Sequence, residues 1–261
     1  MEQIKMIERV RELSLVDDRI SAVLMYGSFT QGEADCYSDI EFYIFLQDGV
    51  EIDKKKWISG VHPVEILFTN EFGTDVAVFN NLIRGEFHFH PVSEISVVRT
   101  WQGVLDFSVR DKMKLVDKDG LLAKVLNDIN VIAPEWNTSE NIEWVADSMI
   151  NNLIFVGNVI NRGEYVRAVH LFFYLEKYLA SMIRLHCNIT THWLDPMKGF
   201  EKEIPTEWYK RYVSCVPELN ENSLKTCYSR ILAFTKELFL LLNVPEHNRY
   251  LLEKLILNEN Q

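Results

Sequence analysis

Two acids, Asp39 and Glu41, open an apolar run that extends to Leu46, and the pair Gly27-Ser28 closes the apolar run before it, with ten residues between Ser28 and Asp39. The string reads Tyr26-Gly27-Ser28-Phe29-Thr30-Gln31-Gly32-Glu33-Ala34-Asp35-Cys36-Tyr37-Ser38-Asp39-Ile40-Glu41. A small-residue turn lets backbone N–H groups approach a phosphate closely. Carboxylates at i and i+2 of a strand point to the same face. Hard oxygen ligands on one face suit Mg²⁺, which takes a few carboxylates together with substrate phosphates. Alone, a Gly-Ser is a turn and an Asp-x-Glu is a solvated strand start. Together, between two apolar strands, they point to metal-assisted transfer from a nucleoside triphosphate.

A third acid facing this pair would complete a metal site or take a proton from an attacking hydroxyl. Glu86, in Arg84-Gly85-Glu86-Phe87-His88-Phe89-His90, follows a glycine at a strand start and shares its face with His88 and His90, while Phe87 and Phe89 take the other. Glu65 has apolar neighbours on both sides and a weaker case. Clustered carboxylates repel, which raises the pKa of one of the set toward the range of a general base, and a metal offsets that repulsion. His88 and His90 could form a metal pair, but no third soft ligand lies near them in sequence, so His88 reads as a substrate-facing side chain. A triphosphate also needs cations, and the first half of the chain supplies few near its acids. Arg162, Arg167 and Lys177 are the candidates, against the plainer reading of surface and helix-end charges. Leu171, Tyr174, Leu175, Tyr178 and Met182 read as a helix core stripe.

The elements that must position these groups follow from periodicity. Ile4, Ile7, Val10 and Leu13 predict an amphipathic helix over residues 3–14. Strands are predicted at Ile20–Tyr26, Ile40–Leu46, Pro63–Thr69, Val76–Leu82 and Glu86–Val92, with a hairpin joining the last two and a short helix at Asp53–Gly60. Thr138-Ser139-Glu140 reads as a helix start. From there the pattern is helical: Ile142–Arg162, Tyr165–His186, Glu207–Val213 and Leu224–Leu242, with breaks near Gly163, at Asp195-Pro196 and at Asn243-Val244-Pro245. The change of character places a domain boundary near residue 133, giving domains 1–133 and 134–261.

Bulk properties narrow the classes further. Of 261 residues 48% are apolar and 25% charged, so the chain can bury a sizeable core. A formal charge of −11 argues against a nucleic-acid partner and favours encounter with a cationic small substrate. Cys36, Cys187, Cys215 and Cys227 form neither a zinc spacing nor a disulfide framework, which suits reduced thiols in the cytoplasm. Residues 1–13 lack an apolar signal core, and no apolar run approaches the ~18 residues of a membrane span.

The Gly27-Ser28 and Asp39-Ile40-Glu41 pattern resembles the signature of the polymerase-β-type nucleotidyltransferases, and the longer strings resemble their antibiotic branch, including the aminoglycoside nucleotidyltransferases of the kanamycin type. The likeness is nearest to the lincosamide nucleotidyltransferases of the B type. It is carried by Met25-Tyr26-Gly27-Ser28-Phe29-Thr30, by Tyr37-Ser38-Asp39-Ile40-Glu41-Phe42-Tyr43-Ile44-Phe45-Leu46 and by Asn81-Leu82-Ile83-Arg84-Gly85-Glu86-Phe87-His88-Phe89. The shorter Arg162-Gly163-Glu164-Tyr165 also matches. The resemblance spans roughly residues 5–185 and is hard to follow over the last seventy or so. It implies an α+β fold, a mixed sheet with flanking helices followed by a C-terminal helical bundle that serves substrate binding and dimerisation. It also implies roles: Asp39 and Glu41 bind Mg²⁺, Glu86 is the general base, and Gly27 and Ser28 hold the triphosphate. The implied reaction moves a nucleoside monophosphate from ATP or another triphosphate to a lincosamide hydroxyl, in a homodimer. An aminoglycoside acceptor is the alternative, and a non-catalytic partner-binding or antitoxin module is a second.

Overall fold

The computed structural model describes residues 1–103, 105–131 and 135–259. The chain divides into two compact units, Met1–Pro134 and Glu135–Gln261. The boundary expected near residue 133 lies outside the described residues.

The first unit is built on a six-stranded mixed sheet. Its strands are β1 (Ile20–Met25), β2 (Ile40–Leu46), β3 (Val64–Thr69), β4 (Asp75–Phe79), β5 (Arg84–Pro91) and β6 (Lys114–Asp117), in the order β3-β4-β5-β2-β1-β6. Only β2 and β5 pair in parallel, with Glu41 opposite Glu86 and Tyr43 opposite His88; the other pairings are antiparallel. The flanking helices are α1 (Glu2–Val16), α2 (Ser28–Gln31), α3 (Lys54–Ser59), α4 (Arg110–Met113) and α5 (Leu121–Asp128), with 3₁₀ turns at Val92–Trp101 and Phe107–Val109.

Alternation sends Phe42, Ile44 and Phe87 to one face, where Met6 and Val10 of α1 and Trp57 and Ile58 of α3 cover them. Ala22, Leu24 and Phe45 on the opposite face are covered by Ile95, Val98, Leu122, Val125 and Leu126. The buried stripe of α1 is Gln3, Met6, Val10 and Ser14, and Ile4 is left exposed. Gln3 is buried on this stripe, and its amide donates to the carbonyls of Cys36 and Ser38 and clamps the loop that leads into Asp39. The β4–β5 hairpin forms as expected, but β4 stops at Phe79, and Leu82 is an exposed turn residue at φ 63° rather than a strand residue.

The second unit is helical: α6 (Ser139–Asn161), α7 (Tyr165–Cys187), α8 (Phe200–Glu203), α9 (Thr206–Val213), α10 (Glu221–Leu241) and α11 (Glu246–Glu259). Thr138 caps α6 by accepting the Asn141 N–H, and Asn220 caps α10 by accepting that of Ser223. Leu153, Phe172, Leu179, Ile231 and Phe239 form its core. Of the expected stripe on α7, Leu175 and Met182 are buried and Tyr174 is exposed. All four cysteines are free. Among the described residues no helix is long and apolar enough to cross a membrane.

Candidate active site

The polar groups singled out in the first half meet at one end of the sheet, beyond the last residue of β1 and the first residues of β2 and β5. Tyr26 leaves β1 with its backbone N–H on the Glu41 carbonyl. Gly27 follows at φ 78° and ψ −157°, a conformation open essentially to glycine alone. It also sits against the Glu41 side chain: a Cβ built on Gly27 would lie 1.7 Å from Glu41 Oε2. Ser28, half-buried, starts the single-turn helix α2, and the buried Thr30 hydroxyl donates to the Gly27 carbonyl, which fixes the turn. The Gly-Ser is therefore a cradle closed on one side by a carboxylate.

Asp39 ends a loop braced by Gln3 and by Asp35, which accepts from the Tyr37 N–H and the Ser38 hydroxyl. Parallel pairing of β2 with β5 then sets Glu41 beside Glu86 and brings Arg84 up to Asp39. Arg84 Nη1 donates to Asp39 Oδ2 and Nη2 to Glu86 Oε1, each at 2.5 Å. Burial of the guanidinium works against its charge, but the bonds to Asp39 and Glu86 outweigh it and raise the Arg84 pKa. Gly85, between the two charged residues, is needed for packing: a Cβ there would lie 2.8 Å from the Phe87 ring.

The other oxygen of Glu86 accepts from the Tyr26 hydroxyl at 3.3 Å, and that hydroxyl lies 3.1 Å from His88 Nε2. Burial, then the charges of Glu41 and Glu86, push the Tyr26 pKa up, so the phenol stays protonated and able to donate. His88 stacks on Tyr43 at 4.1 Å between ring centroids, and Trp101 approaches the same tyrosine at 4.2 Å. Burial pushes the His88 pKa down, against the pull of Glu86.

Asp39, Glu41, Glu86, Gly27, Ser28 and His88 thus share one end of the sheet. Among the described residues no three His, Cys, Asp or Glu side chains are drawn together as a ready metal-ligand group; Asp39 and Glu86 share a guanidinium instead. His88 engages Tyr26 and Tyr43, and His90 bonds Glu94 at 3.1 Å, so the two histidines do not act as a pair. Glu65 is exposed on β3, two strands away from β5. Arg162, exposed at the end of α6, and Lys177, half-buried on α7, belong to the helical unit, as does Arg167, which pairs with Glu164. Sequence reasoning missed Arg84, Tyr26, Tyr43 and Trp101 as site residues. The signal for Arg84 was present in its i, i+2 spacing from Glu86.

Carboxylates, a tight backbone turn and an exchangeable cation can accept a proton, position phosphate oxygens and bind a hard metal. Residues 138–259 match the family model described as "Lincosamide nucleotidyltransferase-like, C-terminal domain", which covers the tail where the sequence strings gave out. The match spans the helical unit from the start of α6 through α11. The chain is also similar to the solved structure of an aminoglycoside 6-adenyltransferase from Bacillus subtilis, at 14% identity over 98% of this chain and 97% of that one, with a TM-score of 0.38. No curated protein matches.

Proposed function

We propose that this chain is a nucleotidyltransferase that moves a nucleoside monophosphate from ATP, or a similar triphosphate, to a hydroxyl of a lincosamide antibiotic and releases pyrophosphate. The acceptor class is supported by one observation, the match of residues 138–259 to the lincosamide nucleotidyltransferase-like domain. The sheet unit is the catalytic domain in this reading, and the helical unit serves the acceptor and the pairing of two subunits in the cytoplasm.

The donor set fits a hard divalent cation: Asp39, the last loop residue before β2, and Glu41, the second residue of that strand, are both carboxylates, and the Glu41 carboxylate rests in the space a Gly27 side chain would fill. Asp39 and Glu41 would hold Mg²⁺, which when bound offsets the repulsion between acids and triphosphate and polarises the transferred phosphoryl group. The turn at Gly27 and Ser28 takes the phosphate oxygens on backbone N–H groups. Glu86, with Tyr26 donating to one oxygen and Arg84 to the other, is held in one orientation and accepts the proton of the acceptor hydroxyl. The hydroxyl oxygen forms a bond to the α-phosphorus, the bond from that phosphorus to the bridging oxygen breaks, and pyrophosphate carries away the electron pair. Positioning and charge neutralisation supply most of the acceleration.

An aminoglycoside acceptor is the second reading, because a formal charge of −11 draws a cationic acceptor of either class. A non-catalytic partner-binding module has no need of three acids at one sheet end. A pyrophosphate-release screen tests all three, with Mg-ATP and Mg-GTP against clindamycin, lincomycin, kanamycin, tobramycin and streptomycin. The expected result is release with a lincosamide and a product heavier by one nucleoside monophosphate. Release with aminoglycosides alone moves the acceptor, and no release with any compound removes the enzyme.

A further inference from the structure

Three carboxylates at one end of a sheet repel one another, and a positive group among them offsets that repulsion before any substrate arrives. In this chain that group is Arg84. It lies one residue before Gly85 of the Ile40–Gly85 register pair, as Asp39 lies one residue before Ile40, so the parallel pairing of β2 and β5 delivers it to the acids. Its planar fork reaches a carboxylate on each strand, Asp39 on one and Glu86 on the other. The side chain is 40% exposed and Asp39 37%, so both partners can be reached from solvent and exchanged.

We infer that Arg84 is a displaceable internal counterion, which holds Asp39 and Glu86 in the free protein and yields Asp39 to a divalent cation only when that cation arrives with a triphosphate. This rests on the reading of Asp39 and Glu41 as the metal ligands. A cation arriving alone must break the Arg84–Asp39 pair and leaves a guanidinium short of an acceptor. A metal–triphosphate complex offers phosphate oxygens in exchange, and the same fork that matches a carboxylate matches a phosphate. Arg84 is then the phosphate-binding cation that the sequence led one to seek at Arg162 and Lys177. The arrangement makes metal and nucleotide binding cooperative, and it keeps the acids from being occupied by free Mg²⁺ between turnovers.

The test is titration of the full chain with Mn²⁺, followed by electron paramagnetic resonance, in the absence of nucleotide. Arg84→Met is expected to bind Mn²⁺ alone at least ~10-fold more tightly than the parent, and Arg84→Lys to stay near the parent because the positive charge remains. Adding Asp39→Asn to Arg84→Met should abolish the gain. With Mn²⁺ and the α,β-methylene analogue of ATP, the order reverses, and Arg84→Met binds the pair ~10-fold more weakly than the parent. Circular dichroism confirms that each variant is folded, and Arg84→Gln, which also removes the charge and carries the same expectations as Arg84→Met, takes its place if the methionine variant is not. The inference is overturned if Arg84→Met and the parent bind Mn²⁺ alone equally while Asp39→Asn weakens binding in both backgrounds. If neither Asp39→Asn nor Glu41→Gln changes Mn²⁺ binding in any background, the metal reading has failed and the counterion role falls with it.

Discussion

Each unit contains one arginine that organises its surroundings, and the two are used in opposite ways. Arg184, on α7, is fully buried. Its Nε donates to the Pro196 carbonyl, Nη1 to the Ile189 carbonyl and to Glu203, and Nη2 to the Lys198 carbonyl. Three of these four bonds go to backbone between residues 189 and 198, so the guanidinium ties a loop without regular strands or long helices onto the bundle. Arg84 stands partly in water, and both of its described bonds go to carboxylates proposed to act in the chemistry. A buried arginine satisfied by carbonyls can do nothing else. An exposed one satisfied by acids can trade them for a phosphate. The same side chain is a structural tie in one place and a reagent-binding group in the other because of burial and the nature of its acceptors.

The largest effect expected from this contrast is on stability. Arg184→Met takes the guanidinium from Glu203, which keeps its contact with His192, and from three carbonyls, and should cost about 3–5 kcal/mol, the range for breaking a buried ion pair from one side. Arg84→Met should cost less than about 1 kcal/mol, as expected for a solvent-screened pair. Urea unfolding of both variants compares them directly. Equal losses would mean that Arg84 is a tie like Arg184, and the contrast would be gone.

The next effect is on turnover and should leave the fold alone. Glu86→Gln keeps the shape of the side chain and one oxygen to accept from Arg84 or Tyr26, but it removes the proposed proton acceptor. Turnover should fall at least ~100-fold while nucleotide binding, read by calorimetry, stays largely intact. Near-normal pyrophosphate release would reassign the base. Gly27→Ala comes third. Its Cβ meets the Glu41 carboxylate and its backbone sits where an alanine is strained, at a cost of about 1–3 kcal/mol. Glu41 has to move, so nucleotide affinity should drop with stability. A variant as stable as the parent that binds nucleotide equally well would show that this turn is not a cradle.

How much of this was legible beforehand follows the reach of each interaction. β2 was readable to the residue, because an aromatic and β-branched run between turn residues has one reading. The long helices α6, α7 and α10 were readable from their 3.6-residue period and from the cap at Thr138. β6 was not: it is four residues long with one buried side chain, and its partner β1 lies far back in the sequence. The spacing of Asp39 from Glu41, and that of Glu86 from His88 on one strand, were local facts and therefore visible. The pairing of those two segments was not, because the parallel register of β2 with β5 is decided by packing against α1 and α3. Arg84 was overlooked for the same reason. Its neighbour Gly85 suggested a turn, while its partner Asp39 is brought to it only by that register.

The smallest effect is a pH dependence, and its sign separates a histidine placed by the sheet from one facing solvent. His88 titrates below its ordinary value because it is half-buried against Tyr43, with Glu86 pulling the other way. Above the unfolded value of about 6.5 the ring is neutral in both states and contributes no pH dependence. As pH falls below that value, the unfolded chain takes up a proton that the folded chain resists, so stability is lost as pH falls toward the folded value. The slope is well under the ~1.4 kcal/mol per pH unit of a full proton, because much of the ring is open to water. His88→Gln removes the titration, so its stability should decline less steeply than the parent's between pH 7 and 5 in urea unfolding. Parallel declines would mean that the folded site accommodates the imidazolium as well as water does. The stack on Tyr43 and the contact with Tyr26 would then not be holding a neutral ring beside Glu86.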